Sequence, residues 1–117
     1  MKGYRCWLRG CESLLLMLPL LAGVATRASA EGRELYAQRC AECHGAKGNG
    51  DGPSSQFLNP RPAPFASALK GKTDQWIITV ITEGGAAAGL SPEMPPQPNL
   101  DRNDLKELVR YIEGLRS

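Results

Sequence analysis

The sequence predicts a small all-α domain, with three main helices joined by long loops, and three observations predict it. Apolar residues recur at helical spacing in three separate stretches. No stretch alternates apolar and polar residues as a half-buried strand would. The segments between the helical stretches are crowded with glycine and proline, which interrupt helix and strand alike. Loops of that length in so short a chain usually have something to wrap.

The first thirty residues read as an export leader outside that domain. Lys2, Arg5 and Arg9 form a positive n-region, and Ser13 to Ala25 is an apolar core. That core is shorter than the roughly 20 residues a membrane span requires. Ala28-Ser29-Ala30 supplies small residues for a signal peptidase, which places cleavage between Ala30 and Glu31. An uncleaved N-terminal anchor is the alternative. Cys11 precedes the apolar run instead of ending it, so it forms no lipoprotein acylation site. The organisation expected is therefore a signal peptide over 1–30 and one domain over 31–117.

Within 31–117 each helix has its own signals. The first runs from Gly32 to about Ala41, with Leu35 and Tyr36 near one face and Gly32 small enough to admit a second helix. The next starts at Thr73 or Asp74 with Thr73 as N-cap, carries Trp76, Ile77, Val80 and Ile81, and stops at Gly84-Gly85. The last runs from Asp101 to about Leu115. Asp101 caps it, Asp104 favours its dipole, and Leu105, Leu108, Ile112 and Leu115 form its apolar stripe, flanked by Val109 and Tyr111. Gly45 to Pro53, Asn59 to Pro64 and Gly84 to Asn99 are the loops.

Loss of the leader changes the residue inventory. It removes Cys6, Cys11, Met1 and Met17, which leaves Cys40, Cys43, a single histidine (His44) and a single methionine (Met94). It also removes four of the 14 basic and one of the 12 acidic side chains, leaving ten against eleven. The domain is near neutral, and no basic surface suited to nucleic acid is expected.

The four residues that remain carry the chemistry. Cys40-Ala41-Glu42-Cys43-His44 is the CxxCH attachment signature of c-type haem. Each thiol adds to one haem vinyl group, so the two must lie about one helical turn apart, and the adjacent histidine supplies an axial nitrogen to the iron. Haem would also supply apolar core that a domain this short otherwise lacks. Two rival readings of the cysteines stand beside it. A thioredoxin-like redox pair would leave His44 without a role and lacks the βαβ setting. A structural zinc site would need a fourth ligand. Met94, bracketed by prolines about 50 residues beyond His44, is the candidate sixth ligand; a methionine that only fills a gap is the alternative. Arg61 and Trp76 are candidates to bind haem propionates, and Gln97 and Asn99 to hydrogen-bond the methionine sulfur. Gly71-Lys72-Thr73 is not the end of a phosphate-binding loop, because Ala66 stands where that motif needs glycine.

Taken in order, these features resemble the class I cytochromes c, in particular the small bacterial monohaem cytochromes. The resemblance covers nearly all of 31–117: a helix entering Cys40–Gly45, then Gly48 to Pro53, Pro64-Phe65, a middle helix, Met94-Pro95, and a last helix bearing Tyr111. It implies the cytochrome c fold around one covalently bound haem, with the first and last helices crossing where Gly32, Leu35 and Tyr36 meet Leu108, Tyr111 and Ile112. It further implies thioether bonds from Cys40 and Cys43, His44 and Met94 as axial ligands, and the Pro53 carbonyl as acceptor for the second ring nitrogen of His44. The function expected is electron carriage in the bacterial periplasm, as a monomer between redox protein partners and not as an enzyme. A haem subunit of a larger oxidoreductase, and a haem sensor or enzyme with a labile sixth ligand, are the other readings.

Overall fold

The computed structural model describes residues 23–116. They form five α-helices and two short 3₁₀ turns and, among the described residues, no strand. The leader's first basic residues, its cysteines and most of its apolar run fall at 1–22, outside the described residues.

Helix α1 spans Gly23–Arg39. It begins nine residues before Gly32 and runs through the predicted cleavage point, because GVATRASAE has no proline to stop it and three alanines to favour it. It also ends earlier than expected. Cys40 departs from helical geometry (φ −122°, ψ −39°), and a single turn, α2, resumes over Ala41–His44. A 3₁₀ turn at Pro53–Phe57 packs on α2, and the short helix α3 follows at Phe65–Ala68. The breaker-rich composition of this stretch hid both.

The other two helices match their sequence signals closely. Helix α4 covers Asp74–Glu83, with the Thr73 hydroxyl accepting the Trp76 N–H at 3.2 Å and Gly84 (φ 83°) ending it. A second 3₁₀ turn, Ala86–Ala88, follows directly. Helix α5 covers Arg102–Leu115 behind a reciprocal cap. Asp101 Oδ1 accepts the N–H groups of Asn103 (2.7 Å) and Asp104 (2.8 Å), while Asp104 Oδ2 accepts the Asp101 N–H.

Helices α1 and α5 make the most extensive packing in the molecule, and Gly32 explains how they come so close. A Cβ at that position would lie 2.3 Å from the Glu107 carbonyl oxygen and 3.2 Å from Tyr111 Cβ. Glycine inside a helix costs about 1 kcal/mol relative to alanine, and here close approach is what offsets it. Beneath the crossing, Tyr36 and Leu108 are fully buried, joined by Phe65, Leu69, Ile77, Ile81, Val109 and Ile112 in one cluster. Val109, expected at the edge of the stripe, is in the core. Glu107 is buried beside it and accepts two hydrogen bonds from Arg110, at 2.7 and 3.0 Å. Such a buried carboxylate is tolerable only when paired. Among the described residues no helix is long and apolar enough to cross a membrane.

Candidate haem site

The CxxCH segment sits where α1 breaks. Cys40 N–H still bonds the Tyr36 carbonyl (2.9 Å), and His44 N–H bonds the Cys40 carbonyl (2.9 Å), so the first cysteine and the histidine stand one turn apart. The chain then folds back over this turn and engages its carbonyls in sequence. Gly45 N–H reaches the Ala41 oxygen (2.9 Å), Gly52 N–H the Cys43 oxygen (3.3 Å) and Gly50 N–H the His44 oxygen (2.8 Å). Ser54 Oγ adds a 2.6 Å bond to Glu42 Oε1, tying the 3₁₀ turn to the middle of the motif. The glycine-rich loop thus works as a clasp on α2.

Cys40 and Cys43 are both free thiols and half-buried. Burial pushes the Cys40 thiol up to about 11, so at neutral pH it keeps its proton. His44 is also half-buried, and desolvation holds its ring below the usual imidazole range, which keeps it neutral and able to offer a lone pair. Its Nδ1 atom is buried without a hydrogen-bond partner. A buried polar group left unmatched costs ~1–3 kcal/mol. Phe65 flanks the ring, with centroids 4.9 Å apart and planes at 32°.

The Pro53 carbonyl, which the resemblance implies as acceptor for the second ring nitrogen of His44, has two lone pairs, one of them in use here. The Pro53 carbonyl accepts Gln56 Nε2 at 3.1 Å, because a 3₁₀ turn begins at Pro53 and directs its carbonyl along the chain toward residue 56.

Met94 lies in the loop between α4 and α5, half-buried, and its carbonyl accepts the Gly85 N–H at 2.9 Å. Gly85 is another position where a side chain would clash: a Cβ there would lie 2.2 Å from the Ser91 carbonyl oxygen and 3.1 Å from Met94 Cβ. Gln97 fastens the end of this loop through its N–H to the Ile81 carbonyl (2.8 Å). The Asn59 N–H meets Glu93 Oε2 at 3.1 Å, joining the Met94 loop to the segment that follows the 3₁₀ turn. Met94 and His44 are therefore carried by separate elements.

Trp76 is half-buried against the core, and Lys72 Nζ lies 4.5 Å from the centre of its ring. Arg61 is exposed in the proline-rich loop. No hydrogen bond or ring contact links either residue to the Cys40–His44 turn. Three contacts at the turn were not foreseen: the Phe65 ring on His44, the Ser54–Glu42 bond, and a 2.6 Å bond from the Tyr36 hydroxyl to the Gly45 carbonyl. Only the last had a local signal, since Tyr36 lies one helical turn before Cys40. The other two pair residues that are distant in sequence, across loops without periodicity.

The donor set fits a haem. Two half-buried thiols stand beside a neutral imidazole with an orphaned nitrogen, and a thioether is carried on a separate loop. Among the described residues no three His, Cys, Asp or Glu side chains are grouped so as to hold a metal ion by themselves. The family model described as cytochrome c matches residues 29–116. No curated protein matches the chain.

Proposed function

This chain belongs to the cytochrome c family, whose domain binds haem covalently and transfers electrons, and from that premise we propose that it is an exported, periplasmic carrier of single electrons. It holds one haem through thioether bonds from Cys40 and Cys43, with His44 and Met94 as axial ligands. The haem, when bound, supplies a one-electron Fe(III)/Fe(II) couple.

The chain's own residues do the rest. Cys40 and Cys43 fix the group to the end of α1, and the loop hydrogen bonds on α2 keep that turn from opening. His44, kept neutral by desolvation, offers nitrogen from one side. Met94 offers a soft sulfur from the other, which favours the reduced state relative to two nitrogen ligands. Holding the group with both His44 and Met94 would leave no ligand position for a substrate, and the group would exchange electrons with redox protein partners. Arg61, through its guanidinium, and Trp76, through its indole N–H, are assigned to the propionates.

The observation that supports this reading best is the half-buried CxxCH turn beside a neutral imidazole, clasped by its following loop. Mass spectrometry and a pyridine haemochrome assay on the exported protein test it. One haem per chain with both vinyl groups consumed is expected. A protein with free thiols and no haem after co-expression with a haem-attachment system would overturn it.

A further inference from the structure

Tyr36 holds both ends of the ligand turn. Its carbonyl accepts the Cys40 N–H (2.9 Å), and its hydroxyl donates a 2.6 Å bond to the carbonyl of Gly45, the residue directly after His44. Its ring meets Phe65 edge-on, centroids 6.2 Å apart at 73°, and Phe65 in turn flanks the His44 imidazole at 4.9 Å. On its other side the Tyr36 ring touches Tyr111 of α5 at 5.3 Å.

We propose that Tyr36 is a positioning residue for the His44 imidazole, acting through the Gly45 carbonyl and through Phe65, a role that deepens the haem reading above and rests on it. Packing alone does not call for a hydroxyl here. Tyr36 is only 1% exposed, and a phenylalanine would fill the same space without a polar atom to satisfy. Burial pushes the phenol well above its usual range, so it remains a donor at any ordinary pH. The bond anchors the backbone on the C-terminal side of His44 to α1, while Phe65, held between Tyr36 and the imidazole, limits rotation of the ring. Outer contacts of this kind set how a ligating histidine faces its metal. The Gly48 N–H also bonds the Gly45 carbonyl (3.2 Å), so loss of the phenol would loosen the segment without freeing it.

The test is Tyr36→Phe in the haem-loaded protein, with Tyr111→Phe as control, because Tyr111 touches Tyr36 but makes no hydrogen bond or ring contact with the turn. Proton NMR of the oxidised low-spin protein reads the orientation of the axial imidazole plane from the spread of the four haem-methyl shifts. Tyr36→Phe should redistribute those shifts and move the reduction potential, while Tyr111→Phe should leave both as in the wild type. A six-coordinate Tyr36→Phe protein with the wild-type shift pattern would overturn the proposal and leave the haem reading intact. Should Tyr36→Phe fail to fold, the wild-type ferrous protein decides. A slowly exchanging Tyr36 hydroxyl proton with an Overhauser contact to the Gly45 α-protons supports the role, and a freely exchanging one overturns it. A wild-type protein without haem would overturn the reading beneath the proposal.

Discussion

The two halves of the candidate site are held by different means. On the His44 side, the carbonyls of Ala41, Cys43, His44 and Gly45 each accept a hydrogen bond from the following loop or from Tyr36. On the Met94 side the chain from Gly84 to Asn99 carries four prolines that donate nothing, and its bonds to the rest of the molecule are few, among them Gly84 to Val80, Gln97 to Ile81 and Glu93 to Asn59. His44 is fixed by a hydrogen-bonded clasp on the end of a helix. Met94 is fixed by a stiff loop that keeps its shape through the restricted φ angles of its prolines. The contrast suits the proposed site, in which His44 would stay next to the covalent attachment and Met94 would be brought to it by a separate loop.

The largest expected effect removes the attachment altogether. Cys40→Ser combined with Cys43→Ser should leave no covalent haem and abolish cooperative unfolding, because the cluster of eight apolar side chains is a small core for the domain. Circular dichroism melts of the secreted variant check this, and an unchanged melting profile would show that the clasp needs no cofactor to hold it. Next, Met94→Ala should retain haem, lower the reduction potential and admit external ligands, as a redox titration and ligand-binding spectra would read. An unchanged potential would remove Met94 from the site and leave the two halves without the contrast drawn here.

Smaller effects sharpen the comparison through stability. Leu108→Ala, at a fully buried position under the α1–α5 crossing, should cost about 2–5 kcal/mol in denaturant unfolding of the haem-loaded protein. Leu90→Ala, in the Met94 loop and 47% exposed, should stay within about 0.5 kcal/mol. Comparable losses at the two positions would mean that the loop is as deeply packed as the crossing. Asp101→Ala, which removes the Oδ1 acceptor of the Asn103 and Asp104 N–H groups at the start of α5, should cost about 0.5–2 kcal/mol in the same assay.

The helices were legible because their signals are local. Thr73 and Asp101 announce their caps, Gly84 its stop, and the spacing from Leu105 to Ile112 its buried face, and α4 and α5 follow these to within a residue. The start of α1 was not legible, since its first turns lack the apolar spacing that marks a packed helix. Nor was the break at Cys40, which depends on the hydrogen bonds of the returning loop. In the site, the CxxCH spacing singled out Cys40, Cys43 and His44, because the chemistry of attachment dictates that spacing. The neighbours that orient them were hidden. Phe65 reaches His44 only after the glycine-rich loop has reversed, and no residue type or period encodes that meeting. Pro53 stands apart: the resemblance, not a local signal, named its carbonyl, which accepts Gln56 Nε2 and keeps a second lone pair.

The most direct test of the central claim is the visible spectrum of the exported, haem-loaded ferrous protein before and after addition of carbon monoxide. With His44 and Met94 both on the iron, the low-spin c-type spectrum should persist unchanged. A prompt shift would mean an open or easily vacated sixth position, and would contradict the assignment of this chain as a closed electron carrier.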